Sequence, residues 1–305
     1  MRKNTVSTAF YFCIYYIMFA YPAVATTYEI NGDVVGEIEH YNVKAKEDLY
    51  VIARRFDVGI VELLSANPKV DVWRPKEGTK LTIPTSHVLP EEPREGIVIN
   101  LSELRLFYFP DAQHVMTFPI AIGRKDWETQ QGTTKIVMKR KHPTWTPPES
   151  IREENPELPD VIPAGIDNPL GEYAMSLGWP NYVIHGTNKP YSVGKRASHG
   201  CIRLYPEDIK KLFESVKLGT KVNVIDTSYK LGWHDDNLFL EVLPTQEQAD
   251  VVAKSKIPKP LEIPEIHDTI RTKAGENTEI NWQLVDELTK LRSGIPTIIT
   301  TKSRR

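Results

Sequence analysis

The chain has 305 residues and a formal net charge of −2. That length suits two or three compact units, and the near-neutral balance excludes a general nucleic-acid binder, which carries a basic excess for phosphate contacts. Moderate apolar content without a low-complexity tract marks an ordinary globular protein.

Residues 1–25 read as an export signal. Arg2 and Lys3 supply a positive start, an uncharged run dominated by apolar and aromatic residues follows over 6–20, and Pro22 breaks it. Ala23-Val24-Ala25 then fits a small-x-small cleavage site. The run is shorter than the ~20 residues of a spanning helix, which favours a cleaved signal over a membrane anchor. Cys13 lies inside the run, so cleavage leaves Cys201 as the remaining thiol. An exported protein with one cysteine cannot form an internal disulfide, which leaves an inert buried thiol or a working nucleophile.

Residues 26–39 form a short polar lead. A small unit spans 40–85. It opens with a strand-like stretch at 40–43, and Leu49, Ile52, Ala53 and Phe56 then recur at the spacing of an amphipathic helix. Ile60, Leu63 and Leu64 suggest a second short helix ended by Asn67-Pro68, and 80–84 reads as a closing strand. Residues 87–95, rich in Pro and Glu, are expected to serve as a linker.

Short strands are expected at 97–100, 104–109, 118–123, 135–138 and 182–184, split by turns such as Pro110-Asp111. This repetition predicts a β-sandwich-like domain over 97–226. One helix follows, with Pro206 in its first turn, Ile209, Leu212, Phe213 and Val216 as its buried stripe and Gly219 as its stop; 222–225 returns to a strand. The C-terminal extension, 227–305, predicts a strand at 238–242 and helices at 246–253 and 281–291 around a stretch broken by Pro258, Pro260 and Pro264. Residues 302–305 are expected to fray.

The chemistry concentrates in Tyr182-Val183-Ile184-His185-Gly186-Thr187 and Ser198-His199-Gly200-Cys201-Ile202-Arg203-Leu204. A thiol is a strong nucleophile only as thiolate, and histidine is the side chain suited to take its proton near neutrality. His199, two residues from Cys201, has a local geometry that rarely gives a good thiol–imidazole contact. His185, at the end of a predicted strand, can approach the thiol end-on from a neighbouring strand. The Gly186 carbonyl beside that ring would fix its tautomer. Gly200 leaves room for substrate, and the N–H groups of Gly200 and Cys201 would face a developing oxyanion. The competing readings are a structural histidine, an ion-paired Arg203, and a metal set of His185, His199 and Cys201; the last fits no known metal spacing.

These motifs resemble the signature of the YkuD-type L,D-transpeptidase catalytic domain. Residues 40–85 resemble a LysM module through Tyr41-x-Val43, Asp48-Leu49, Ile52-Ala53, Ala66-Asn67-Pro68 and Gly78-x-x-Leu81-x-Ile83-Pro84. Further matching stretches at 141–148, 161–171 and 173–174, with Leu231-Gly232-Trp233 behind, are similar to the ErfK/YbiS/YcfS/YnhG group.

The resemblance implies a mainly β protein with minor α. A βααβ LysM domain precedes the catalytic domain, and an α/β extension follows it. It implies Cys201 as nucleophile, His185 as proton donor and acceptor, and Gly186 as the orienting carbonyl. Ser198, His199, Gly200 and Arg203 would shape the pocket and oxyanion site. Trp145, Tyr173 and Thr187 are candidates for binding substrate, though a structural role is open for Trp145 and Tyr173. No metal or cofactor is implied. The implied setting is the periplasm, and the implied partners are peptidoglycan glycan and stem peptides, with an outer-membrane lipoprotein as acceptor. A second stem, giving a 3→3 cross-link, or water, giving hydrolysis, remain alternatives, as does a non-catalytic wall binder. Acylation by carbapenems is also implied.

Overall fold

The computed structural model describes residues 27–301. The expected export signal and the expected fraying at 302–305 lie outside the described residues. Among the described residues, no helix is long and apolar enough to cross a membrane.

The catalytic unit is built on a mixed nine-stranded sheet. One half runs Thr27–Glu29, His114–Pro119, Arg105–Phe109, Gly96–Asn100 and Lys221–Ile225; the other runs Tyr173–Leu177, Val183–His185 and Ile202–Arg203. Strand Gly132–Lys141 joins the halves. Its first residues, 132–135, pair with Lys221–Ile225, and residues 136–141 pair with Tyr173–Leu177, with a register shift between Ile136 and Met138. A strand that changes partner at an irregularity bends the sheet and brings its two halves into layers. Ile97, Ile99, Leu106, Phe118, Ile136, Met175, Ile184 and Ile202 fill the space between them.

Most expected strands are present with shifted ends. The single stretch foreseen at 118–123 is two strands, His114–Pro119 and Ile122–Gly123, because Ala121 pairs outside both, exchanging hydrogen bonds with Arg203 at 2.8 and 2.9 Å. The polar lead also differs from expectation. Thr27–Glu29 adds to the edge of the main sheet, and Val34–Val35 pairs with His87–Val88. For the same reason 87–95 is not a free linker. His87, Val88 and Leu89 are buried, because the apolar pair gains more from packing than the flanking prolines gain from extension.

The small unit is βααβ. Strands Glu39–Asn42 and Lys80–Ile83 pair antiparallel around helices Leu49–Arg55 and Ile60–Ala66. Asp48 caps the first helix by accepting from Val51 N at 2.9 Å. Asn67 ties the second helix to the closing strand, donating to Leu63 O at 2.8 Å and accepting from Thr82 N at 2.8 Å. Its core, including Leu49, Ile52, Leu63, Leu81 and Ile83, is continuous with that of the catalytic unit. Gly59 and Gly194 meet where a Cβ on Gly194 would lie 2.3 Å from the Gly59 Cα. Around that contact Arg54 pairs with Glu207 at 2.7 Å, and buried Arg105 pairs with Glu62 at 2.9 Å.

The extension is a three-stranded sheet, Tyr229–His234, Asn237–Val242 and Thr297–Ile298, against helices Ile266–Ala274 and Trp282–Leu291. Helix Gln246–Val252 instead sends Ala249 and Val252 into the main core. The extension is locked to the rest by a buried ion cluster. Lys230 Nζ lies 2.7 Å from Glu103 and 3.0 Å from Glu241, and Glu241 accepts from Val88 N at 2.8 Å. Burial pushes the Glu241 carboxyl upward and the Lys230 ammonium opposes it. Removing one partner of such a group leaves the others as uncompensated buried charges. Lys230→Ala is therefore expected to lower unfolding free energy by about 3–5 kcal/mol in denaturant titration; a loss under about 1 kcal/mol would show that the cluster is not held dry.

Candidate active site

Strand Val183–His185 pairs in parallel with Ile202–Arg203, Ile184 opposite Ile202 and His185 opposite Arg203. The two isoleucines are fully buried and anchor the pairing. Side chains alternate along a strand, so His185, Arg203 and Cys201, two residues before Arg203, share the face opposite that anchor. That face floors a cleft of about 890 Å³. Its walls come from Trp145, Ile151, Leu158 and Ile162 on one side and Trp179, Pro180 and Tyr182 on the other.

His185 is 3% exposed, and its Nδ1 lies 2.6 Å from the Gly186 carbonyl oxygen. A carbonyl only accepts, so Nδ1 carries the proton; the Leu170 backbone also hydrogen-bonds the imidazole. Burial, aided by the positive charge of Arg203, lowers the His185 pKa to about 3; the imidazole is neutral across the physiological range. Cys201 is the free cysteine among the described residues. Burial pushes its thiol upward, opposed by hydrogen bonding to the Val183 backbone and by Arg203. At rest Sγ–H donates to the Asn181 carbonyl at 3.4 Å. The resting pair is thus a thiol and a neutral imidazole.

The turn carrying the thiol is held from several sides. Ser198 Oγ donates to the Cys201 carbonyl at 2.5 Å. Thr129 Oγ1 donates to the Gly200 carbonyl at 2.8 Å and accepts from Gly123 N at 2.9 Å. Gly200 has φ +96°, and a Cβ there would lie 3.2 Å from the Tyr182 ring, so both conformation and space require glycine. Gly186 answers to space alone, with Ile209 at 3.0 Å from its missing Cβ.

Of the sequence-predicted residues, Cys201, His185, Arg203, His199 and Trp145 line the cleft. Ser198, Gly200 and Gly186 shape its floor from beneath. Tyr173 and Thr187 are not among the residues that line it, which for Tyr173 agrees with the structural role left open above. Tyr173 is buried against Phe213, with centroids 4.9 Å apart, and buried Thr187 accepts from Lys189 N at 2.9 Å. His199 pairs with Glu154, 3.0 Å distant.

Sequence reasoning missed Thr129, Asn181, Arg124, Trp127, Glu154 and Asn168. Asn168 has no exposure, and it donates to the Pro143 carbonyl at 2.8 Å and accepts from Leu170 N at 2.9 Å, closing the loop that carries one wall. An asparagine amid turn residues carries no pattern that separates this role from a surface turn.

Among the described residues, His87, Glu103 and Glu241 have ligand atoms grouped within 4.8 Å of one another, as a metal site would; Lys230 already supplies the cation there. His185, His199 and Cys201 do not make such a group among the described residues.

A single thiol and a buried neutral imidazole on one face of a cleft are the arrangement of an enzyme that uses a cysteine nucleophile. Comparison with known proteins narrows that class. A family model described as the L,D-transpeptidase catalytic domain matches residues 94–224, and one described as the LysM domain matches 41–84. The chain is 36% identical to "Probable L,D-transpeptidase ErfK/SrfK" of Escherichia coli over 96% of this chain and 97% of that protein. It is 44% identical to "Probable L,D-transpeptidase YcfS" of the same organism over 70% and 71%, and 37% identical to "Probable L,D-transpeptidase YbiS" over 91% and 93%. The chain belongs to the L,D-transpeptidase family. It is a cysteine-dependent transpeptidase with a LysM domain ahead of its catalytic domain.

Asn168→Ala should leave buried backbone groups without partners, at a cost of about 1–3 kcal/mol. Limited proteolysis is expected to cut within 143–170 faster in this variant than in wild type, and unchanged cleavage kinetics would show that the wall is held by other contacts.

Proposed function

We propose that the enzyme acts on tetrapeptide stems of peptidoglycan in the periplasm through Cys201, and transfers the stem to an amine of an outer-membrane lipoprotein. The observation that carries the chemistry is the shared sheet face of Cys201 and His185, with Nδ1 of His185 committed to the Gly186 carbonyl. As substrate enters, Nε2 takes the thiol proton. The Sγ thiolate attacks the carbonyl that joins meso-diaminopimelate to the terminal D-Ala. N–H groups of Gly200 and Cys201 face the oxyanion, and the positive charge of Arg203 lies on the same face. The tetrahedral intermediate collapses; the C–N bond breaks, His185 returns the proton to the leaving amine, and D-Ala departs. A thioester remains on Cys201. The acceptor amine attacks it, His185 takes the amine proton, and the new amide leaves as the thiol is restored.

Trp145 would hold the donor in the cleft. The LysM domain supports a glycan-bearing substrate, and its exposed Trp73, packed 5.0 Å from Tyr50, offers a face of the kind sugars stack against. The near full-length match to ErfK/SrfK and YbiS supports the transpeptidase reaction; the lipoprotein amine as acceptor is our own choice among the amines that could resolve the thioester.

Mass spectrometry of the folded enzyme with tetrapeptide muropeptides and a peptide ending in lysine tests this. Cys201-dependent loss of D-Ala with a stem–peptide adduct is expected, and Cys201→Ala should abolish both. A stem–stem dimer in its place would make the enzyme a 3→3 cross-linker, and a free tripeptide would make it a hydrolase. A carbapenem should add its mass to wild type and not to Cys201→Ala.

The lowered His185 pKa sets a second test. The neutral imidazole is the base, and it is lost only as pH falls through about 3. Acylation rate is therefore expected to show no histidine inflection between about pH 5 and about pH 7.5. A fall of tenfold across an apparent pKa near 6.5 would place the essential base on a solvated histidine instead.

A further inference from the structure

Helix Glu149–Glu154 stands at the rim of the cleft, and its last residue takes no part in the chemistry above. The Glu154 carboxylate sits in a ring of donors from two other parts of the chain. Arg124 Nη2 donates to both oxygens, at 2.6 and 2.8 Å. Trp127 Nε1 donates to Oε1 at 3.1 Å, and His199 Nε2 lies 3.0 Å from Oε2. The ring favours an ionised carboxylate strongly. The Arg124 hydrogen bond is the leading cause that draws the Glu154 pKa down to about 2.

The donors are organised without Glu154. The Trp127 and His199 rings meet edge to face with centroids 4.7 Å apart, and the Arg124 guanidinium lies 5.7 Å from the Trp127 ring. Arg124 N donates to the Ser198 carbonyl at 3.0 Å, and Trp127 N to the Arg124 carbonyl at 2.9 Å. The cradle is therefore fastened to the turn that holds Cys201. Its occupant is fastened less well. The Glu154 side chain is about as exposed as that of Arg124, 42% against 40%; the difference lies in its element, a helix of six residues that buries none of them. Trp127 and His199 line the cleft together with Cys201, and His199 stands two residues from the thiol, across the bend at Gly200. An acid carried on a short unburied helix, in a cradle that shares the cleft with the thiol, has the form of an internal stand-in for a ligand.

We propose that Arg124, Trp127 and His199 form a carboxylate-binding subsite beside Cys201, that Glu154 fills it in the resting enzyme, and that a free carboxylate of the substrate displaces Glu154 as the rim helix lifts. The proposal rests on the transpeptidase reading, which supplies two such carboxylates. One is the terminal D-Ala of the donor, one carbon beyond the scissile nitrogen. The other is the C-terminal carboxylate of an acceptor lysine. Both present the same group to the same donors.

Steady-state kinetics on the full enzyme separate the sources. The donor tetrapeptide is supplied as free acid or C-terminal amide, and a lysine-terminated acceptor peptide likewise. Charge-assisted hydrogen bonds of this kind predict a preference for the free acid of roughly tenfold or more in kcat/KM, in one arm only. Preference in the donor arm assigns the subsite to D-Ala, and preference in the acceptor arm assigns it to lysine. Glu154→Gln should lower KM for the preferred acid several-fold and leave KM for its amide unchanged, because an internal competitor is gone. Arg124→Gln should erase the preference. Equal kinetics of acid and amide in both arms would overturn the proposal. So would a Glu154→Gln enzyme whose KM rises alike for acid and amide, since Glu154 would then only anchor the helix. Failure of the transpeptidase reading looks different: wild type would release no D-Ala from any donor.

Discussion

The site depends on one register. Pairing Ile184 with Ile202 in parallel sets His185 opposite Arg203 and turns the thiol two residues earlier to the same face. A slip of one residue along either strand would send the imidazole into the core and an isoleucine into the cleft. The pairing resists that slip because both isoleucines have no exposure, and because Leu204 N donates to the His185 carbonyl at 2.9 Å just past the last pair. Ser198, Gly200 and Thr129 then only need to set the height of the thiol on a face already chosen.

Burial is the second constraint, and it determines how the nucleophile is held. A thiolate–imidazolium pair in that dry floor would need two charges desolvated before any substrate arrives. The structure avoids this by keeping the imidazole neutral and raising the thiol. The reactive ion forms only during the reaction, when a carbonyl is present to receive the charge. A resting thiol of this kind is less open to chance oxidation, since oxidation follows thiolate character.

Much of this was legible in the sequence, for identifiable reasons. Cys201 and His185 stand in tight motifs whose residues have few alternative uses, and the helices of the βααβ unit announce themselves by period. The helix Ile266–Ala274 was equally periodic, with Ile266, Ile270 and Ala274 on one stripe, but the prolines just ahead masked its start. What was not legible is what long-range contact decides. Thr129 reaches Gly200 across 71 positions, and Arg124 reaches Glu154 across 30, with no local pattern to mark either. Tyr173 sat close to matching motif residues, so groove and structural roles both stayed open; the sheet face it occupies is the one helix Pro206–Ser215 covers, through Phe213.

The same distinction bears on how the two domains act together. A tethered binding module raises local substrate concentration only as far as its linker allows. Here His87–Val88 of the chain between the modules is paired and buried, and their apolar cores are continuous. The Gly59–Gly194 contact, with Val61 N donating to the Gly194 carbonyl at 3.2 Å, fixes the LysM unit beside the loop that follows Pro190–Ser192 on the catalytic unit. The LysM unit is thus set against the catalytic unit through packed side chains and paired backbone, so the two move as neighbours in one core and not as modules on a tether.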